Sequence, residues 1–95
     1  MKMNNIITAE KLKKYFSITE TALNIAKKNI AKGKEEEAKE IISMAENYLA
    51  DAKYFRTERN FIDSFAAINY AHGWLDSGSR LGIFDVKDNK LFVIR

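Results

Sequence analysis

The spacing of the apolar residues is the feature that most restricts how this chain folds. In three successive segments they recur every three or four positions, which is the repeat of an α-helix with one buried face. Two short breaks separate the segments, one around Gly33 and one at residues 57–60. Connections this short join antiparallel neighbours. The sequence therefore predicts an all-α, up-and-down three-helix bundle, formed by residues 1–95 as a single domain.

The first helix is predicted over about residues 8–32. Thr8 is a suitable N-cap, and Gly33 is the residue type that most often follows the end of a helix. The residues of its apolar stripe are Leu12, Phe16, Thr19, Leu23, Ala26 and Ile30.

The second and third helices are predicted over about residues 35–57 and 61–81. Three glutamates open the second helix, where the helix dipole favours acids. Asn60 is a candidate N-cap for the third, with Gly82 as its stop. The third helix is apolar over more than half of its circumference, so we expect it to be central and covered from two sides. These apolar residues are Phe61, Phe65, Ala67, Ile68, Tyr70, Ala71, Trp74, Leu75 and Leu81.

The tail predicts a short C-terminal β-hairpin over about residues 83–95. Two short apolar runs, Ile83–Val86 and Leu91–Ile94, flank the turn-forming residues 87–90. Because two strands alone are marginally stable in water, we expect the hairpin to pack on Tyr70 and Trp74 or on a second chain.

Composition excludes several classes of function. With no cysteine and one histidine, the chain has no disulfide, no catalytic thiol and no zinc site built from Cys or several His. We accordingly assign no catalytic residue, no metal and no cofactor. The apolar runs are too short to span a membrane, and no secretory signal is recognisable, so we expect a cytoplasmic protein.

Charge is divided between the first two helices. Residues 8–34 hold seven lysines and two glutamates, whereas residues 35–54 hold six acids and two lysines. RNA binding through the lysine-rich first helix is the third functional option. We disfavour a nucleic-acid partner, because there is no arginine cluster and no recognised nucleic-acid motif.

The third helix carries an unusual polar set: Asn69, His72, Gly73, Asp76 and Arg80. The i,i+4 steps from His72 to Asp76 and from Asp76 to Arg80 place the three on one flank. The structural interpretation has Asp76 orienting His72 and pairing with Arg80, while Gly73 lets a neighbouring helix approach. The functional alternative is a site for a small ligand or anion, with His72 as a base and Arg80 as the anion binder. We favour the structural interpretation, because all five residues come from one helix and no nucleophile accompanies them.

The residue pattern from Asp51 to Phe84 resembles the short archaeal proteins of domain-of-unknown-function family 357. The pattern comprises Asp51-Ala52 and Phe55, then Ala66, then Tyr70-Ala71-His72-Gly73-Trp74-Leu75-Asp76, then Gly78, Arg80 and Gly82. Where members carry Gly-Asp before the third helix, this chain has Arg59-Asn60. The resemblance implies a small helical bundle in an archaeal cytoplasm and no particular activity.

Self-association is the function we favour. The third helix and the tail together carry more apolar surface than a single chain is expected to bury, and a monomer rarely exposes a large apolar patch. We therefore predict a non-enzymatic protein-interaction module that forms a homodimer or larger even oligomer, and a different protein partner stays open. The predicted interface residues are Tyr70, Trp74, Leu81, Phe84 and Phe92.

Overall fold

The computed structural model describes residues 6–86, and this part of the chain contains three long helices. Helix α1 spans Ala9–Lys27, α2 spans Glu35–Thr57 and α3 spans Phe61–Arg80. None of these helices is both long and apolar enough to cross a membrane. The predicted all-α three-helix architecture is confirmed over these residues.

Helix α3 is the central element, as its wide apolar arc predicts. It makes most of the interhelical contacts, and α2 is its main neighbour. The hydroxyl of Ser64, near the start of α3, donates to the carbonyl of Ala52 near the end of α2 at 2.7 Å. The ring of Tyr70, farther along α3, stacks on Tyr48, which lies earlier in α2. The two helices are therefore antiparallel, and the buried serine hydroxyl fixes their register.

Helix α1 packs on the other flank of α3 and runs parallel to it. The rings of Tyr15 and Phe65 meet edge to face with centroids 5.0 Å apart. Thr19 contacts His72 one turn further along α1 and two turns further along α3. Backbone contacts between α1 and α2 are few. Leu12, Phe16 and Ala22 of α1 are nevertheless almost fully buried, because the α1 stripe faces the groove between the other two helices.

The predicted N-caps of α1 and α3 are present. The Thr8 side chain accepts a hydrogen bond from the backbone N–H of Lys11 at 3.1 Å. The Asn60 side chain accepts from the N–H of Asp63 at 3.2 Å, and its amide donates to the Asp63 carboxylate at 2.7 Å. Each cap satisfies an amide that the first helical turn cannot pair internally.

Helix α1 ends five residues earlier than predicted, so Gly33 does not terminate it. The chain leaves the helix at Lys28 and runs alongside the C-terminal segment, with Ile30 and Phe84 forming an isolated antiparallel bridge. The N–H of Ala31 donates to the carbonyl of Ile83 at 2.9 Å. Gly33 instead lies in the following turn at φ +86°, which its missing side chain permits. A tertiary pairing has displaced the last turns of the helix.

Gly82 ends α3 as predicted. Its φ is +75°, and the N–H groups of Gly82 and Ile83 return to the carbonyls of Ser79 and Gly78 at 3.2 and 2.8 Å. This is the Schellman pattern of helix termination. It sends Ile83 and Phe84 back over the end of the bundle, where both are buried.

The predicted C-terminal β-hairpin is not supported. The residues proposed as its first strand pair through Phe84 with Ile30 of the α1–α2 connection, and no strand occurs among residues 6–86. Residues 87–95, which include the proposed turn and second strand, lie outside the described residues.

Candidate functional site

His72 bridges α1 and α3 at the edge of the core. Its Nδ1 lies 3.1 Å from the hydroxyl oxygen of Thr19, and its Nε2 lies 3.6 Å from Oδ1 of Asp76. The His72 and Asp76 side chains are 21% and 25% exposed, so both lie partly beneath the surface. The i,i+4 geometry of α3 sets the second contact, and helix packing sets the first.

A cleft of about 230 Å³ opens beside this pair, between α1 and α3. Four of the five polar-flank residues predicted from the sequence line it together: Asn69, His72, Gly73 and Asp76. Helix α1 contributes the other wall, with Tyr15, Ile18 and Thr19.

Arg80 is separate from this cleft. Its side chain is exposed, it does not line the cleft, and within residues 6–86 it forms no ion pair with Asp76. The expected Asp76–Arg80 pair is therefore not formed in this part of the chain. Since Asp76 lies in the cleft and Arg80 does not, the cleft is chemically suited to a cation or a hydrogen-bond donor rather than an anion.

Thr19 is the residue of this site that sequence reasoning missed. It is 2% exposed, and its hydroxyl contacts His72 across the helix interface. A hydroxyl this deeply buried is placed for packing, not for attack on a substrate. The available signal was a polar residue within the apolar stripe of α1, because a buried hydroxyl needs a partner on another element.

A protein metal site is built from several ligating side chains that lie close together. Within residues 6–86 no three His, Cys, Asp or Glu side chains lie close enough together to hold a metal ion.

The outward side of α3 forms a second candidate site. Ile62, Tyr70 and Leu81 are 69%, 63% and 69% exposed on it. Three small or polar residues that lie between them are also exposed. At 100° per residue all six fall within one arc of about 100°, opposite the buried side of the helix. We call this surface the outer face; it consists of Ile62, Ala66, Tyr70, Gly73, Ser77 and Leu81.

Gly73 leaves an open hollow at the centre of the outer face. A Cβ built at this position would meet no atom within 4 Å among neighbouring groups. An open groove of about 310 Å³ surrounds it, with Tyr70 and Trp74 on one side and Asn69 on the other. The expected close approach of another helix at Gly73 is therefore not made within the described chain.

The predicted interface residues have different environments. Tyr70 and Leu81 belong to the outer face, and Trp74 is half-buried beside it. Phe84 is 2% exposed and packs in the core of its own chain, so it is not accessible to a partner. Phe92 lies outside the described residues.

Two ion pairs join α1 to α2 on the side that carries lysines of α1. Lys27 pairs with Glu46 at 2.6 Å, and Glu20 pairs with Lys53 at 3.3 Å, all four side chains being about half exposed. The first pair places an α2 acid beside an α1 lysine, whereas in the second pair the acid belongs to α1 and the lysine to α2.

Comparison with known protein families gives a match over most of the chain. The family model described as "Protein of unknown function (DUF357)" matches residues 14–84, which include most of α1 and all of α2 and α3. No curated protein and no solved structure matches the chain.

Proposed function

The chain belongs to the DUF357 family of proteins of unknown function, and from the surfaces of its own fold we propose that it is a non-enzymatic protein-interaction module that self-associates through the outer face of α3. The observation that carries the proposal is the alignment of three large, more than 60% exposed apolar side chains on one side of one helix.

Exposed apolar residues are ordinary when they are scattered, but aligned ones favour a partner. Ile62 and Tyr70 lie on α3 and Leu81 is its C-cap residue, so the three are spread over the length of the helix. Burial of apolar surface contributes about 25 cal/mol per Å². Covering the outer face with a second protein would remove this apolar surface from water, and that burial favours association.

Gly73 supports the same proposal from helix energetics. A glycine inside a helix costs about 1 kcal/mol relative to alanine. Crowding does not account for that cost here, because a Cβ at Gly73 would have open space around it. A glycine inside a helix often marks a place where another backbone or side chain comes close. Because no group of the described chain does so at Gly73, a partner protein is the candidate.

Sedimentation velocity on the purified chain at micromolar to submillimolar concentration tests the proposal directly. We expect a monomer–dimer equilibrium that Tyr70→Glu shifts about tenfold or more towards monomer. Tyr54→Glu is the matched control, because Tyr54 is 60% exposed but lies on α2, outside the outer face. A chain that stays monomeric throughout this range contradicts the proposal, as does an equal effect of both variants.

A second candidate function rests on the cleft between α1 and α3. Asp76 and His72 line it beside Tyr15 and the bare backbone of Gly73, an arrangement that suits a small cationic ligand. Thermal-shift screening of small amines against phosphates, with Asp76→Asn as the control, tests this candidate. Stabilisation by amines in the parent but not in the variant would favour it over the proposed interaction function.

RNA binding through α1 is the option that we favour least, because the neighbouring helix α2 is rich in acids and its Glu46 pairs with Lys27 of α1. We expect no salt-sensitive gel shift with RNA. A shift that weakens when Lys13, Lys14 and Lys28 are replaced by alanine would reverse that ranking. The expected archaeal, cytoplasmic setting stays a prediction.

A further inference from the structure

The outer face has a spacing that is the same in both directions along α3. Its six residues are separated by four, four, three, four and four positions. A copy of α3 that runs in the opposite direction, with its midpoint between residues 71 and 72, therefore has its outer-face residues at the same heights as the first helix. In this arrangement the residues at equal height are Ile62 and Leu81, Ala66 and Ser77, and Tyr70 and Gly73.

We infer that the partner of the outer face is a second copy of this chain, with the two α3 helices antiparallel about a two-fold axis that passes between residues 71 and 72. The inference rests on the proposed self-association and specifies its geometry. A closed two-fold contact buries the same face on both copies and leaves no face open for further growth.

Shape favours this register. At its centre, Tyr70 of each copy lies opposite the hollow at Gly73 of the other, so a large exposed ring meets a position with no side chain. The Tyr70 ring is already held against Tyr48, with centroids 5.2 Å apart and planes 21° from parallel. Ordering it on association therefore costs less side-chain entropy than ordering a free ring.

The flanking pairs complete the packing. Ala66 and Ser77 face each other, and both are small enough to let two helix backbones approach closely. Ile62 and Leu81 meet at the two ends, where each covers the other's exposed apolar surface. Large residues therefore close the contact at its ends, while small residues and the Tyr70–Gly73 pair occupy its middle.

Charge selects the antiparallel orientation over the parallel one. Asp63 and Arg80 flank the outer face near the two ends of α3, and both are exposed. In the antiparallel register Asp63 of one copy and Arg80 of the other lie at the same height along the two helices, because 63 and 80 are equally far from the midpoint. A parallel pair would place Asp63 against Asp63 and Arg80 against Arg80, and would also leave two Gly73 hollows facing each other. Like charges placed together disfavour that alternative.

Engineered cysteines measure the register, and the parent chain offers no competing thiol because it contains no cysteine. We expect an equimolar mixture of the Ala66→Cys and Ser77→Cys chains to form a disulfide-linked heterodimer under mild oxidation. The Ser77→Cys chain alone is the control. Its two thiol positions are about 16 Å apart along the axis in the antiparallel pair, since eleven residues at a rise of about 1.5 Å separate them.

The outcomes separate this inference from the proposed function. A cross-linked mixture with an unlinked Ser77→Cys control supports the antiparallel register. Cross-linking of Ser77→Cys alone indicates a parallel pair, and a dimer by sedimentation without either cross-link places the interface elsewhere; both results overturn the inference while self-association stands. A parent chain that is monomeric by sedimentation overturns both.

Charge exchange gives an independent check. Asp63→Arg and Arg80→Asp each place like charges opposite each other in their own homodimers, whereas a mixture of the two chains restores both opposite-charge pairs. We expect each variant alone to dissociate several-fold more readily than the parent, and the equimolar mixture to recover dimer. Circular dichroism first verifies that Asp63→Arg, which alters the cap at Asn60, still folds. Failure of the mixture to recover contradicts the register.

Discussion

Two glycines on one helix should respond in opposite ways to the same substitution. Gly78 lies on the buried side of α3, and the Phe84 ring packs directly over its backbone. A Cβ added at Gly78 would lie 2.7 Å from Cδ2 of Phe84 and 3.2 Å from Cδ1 of Ile41. Phe84 is 2% exposed, so its ring has little room to move aside without leaving the core. Gly78→Ala should therefore displace the ring.

The size of the effect follows from two opposing terms. Loss of a buried phenylalanine side chain costs about 3–5 kcal/mol, and replacing glycine by alanine in a helix returns about 1 kcal/mol. We expect a net destabilisation of about 2–4 kcal/mol from Gly78→Ala. For a chain of 95 residues this lowers the melting temperature by about 8–30 °C.

Gly73→Ala is the matched control. Nothing lies within 4 Å of the added Cβ, so the helix-propensity term acts alone. We expect stabilisation of up to about 1 kcal/mol, or a rise of about 4–8 °C. Thermal and urea unfolding followed by circular dichroism should be run at concentrations where the chain is monomeric, because Gly73→Ala also alters the outer face.

The contrast between the two glycines is the decisive result. A Gly78→Ala variant as stable as the parent would show that Phe84 does not pack on Gly78. A Gly73→Ala variant that loses stability as a monomer would show that the hollow on the outer face is filled by the chain itself.

Three further substitutions test local features by thermal unfolding. Arg59→Gly should raise the free energy of unfolding by about 0.5–1 kcal/mol, because Arg59 adopts a left-handed φ of +60° after α2; an unchanged value contradicts this strain. Asn60→Ala should lower it by about 1 kcal/mol through loss of the α3 cap, whereas a neutral result would mean that the cap is dispensable. Thr19→Val, which keeps the side-chain shape, should lower it by about 1–3 kcal/mol, since it leaves Nδ1 of His72 without the hydroxyl that contacts it; equal stability would argue against that contact.

The sequence by itself determined the elements whose signals are local. Helix α2 spans Glu35–Thr57, as its acidic start and apolar spacing predict. The caps at Thr8 and Asn60 and the stop at Gly82 depend on hydrogen bonds between near neighbours in the chain. A side chain within three or four residues of its partner needs no tertiary context, so a sequence pattern is sufficient to place it.

The central role of α3 was also accessible from the sequence, and so was the family. An apolar arc wider than half the circumference requires neighbours on both flanks, and α3 has them. The glycine, histidine and tryptophan pattern of α3 pointed to the family whose model matches residues 14–84.

Only the tertiary structure decided what occurs between distant segments. Ile30 lies beyond the end of α1 and pairs with Phe84, and Phe84 turns inward onto Gly78 rather than outward to a partner. Thr19 meets His72 although 53 positions separate them. Each outcome depends on which surfaces come into contact after the helices pack together. The spacing of apolar residues and the helix propensity of each residue do not contain that information. Gly73 and Gly78 look alike in the sequence, yet one is open to solvent and the other is covered by a ring, because they lie on different sides of the same helix.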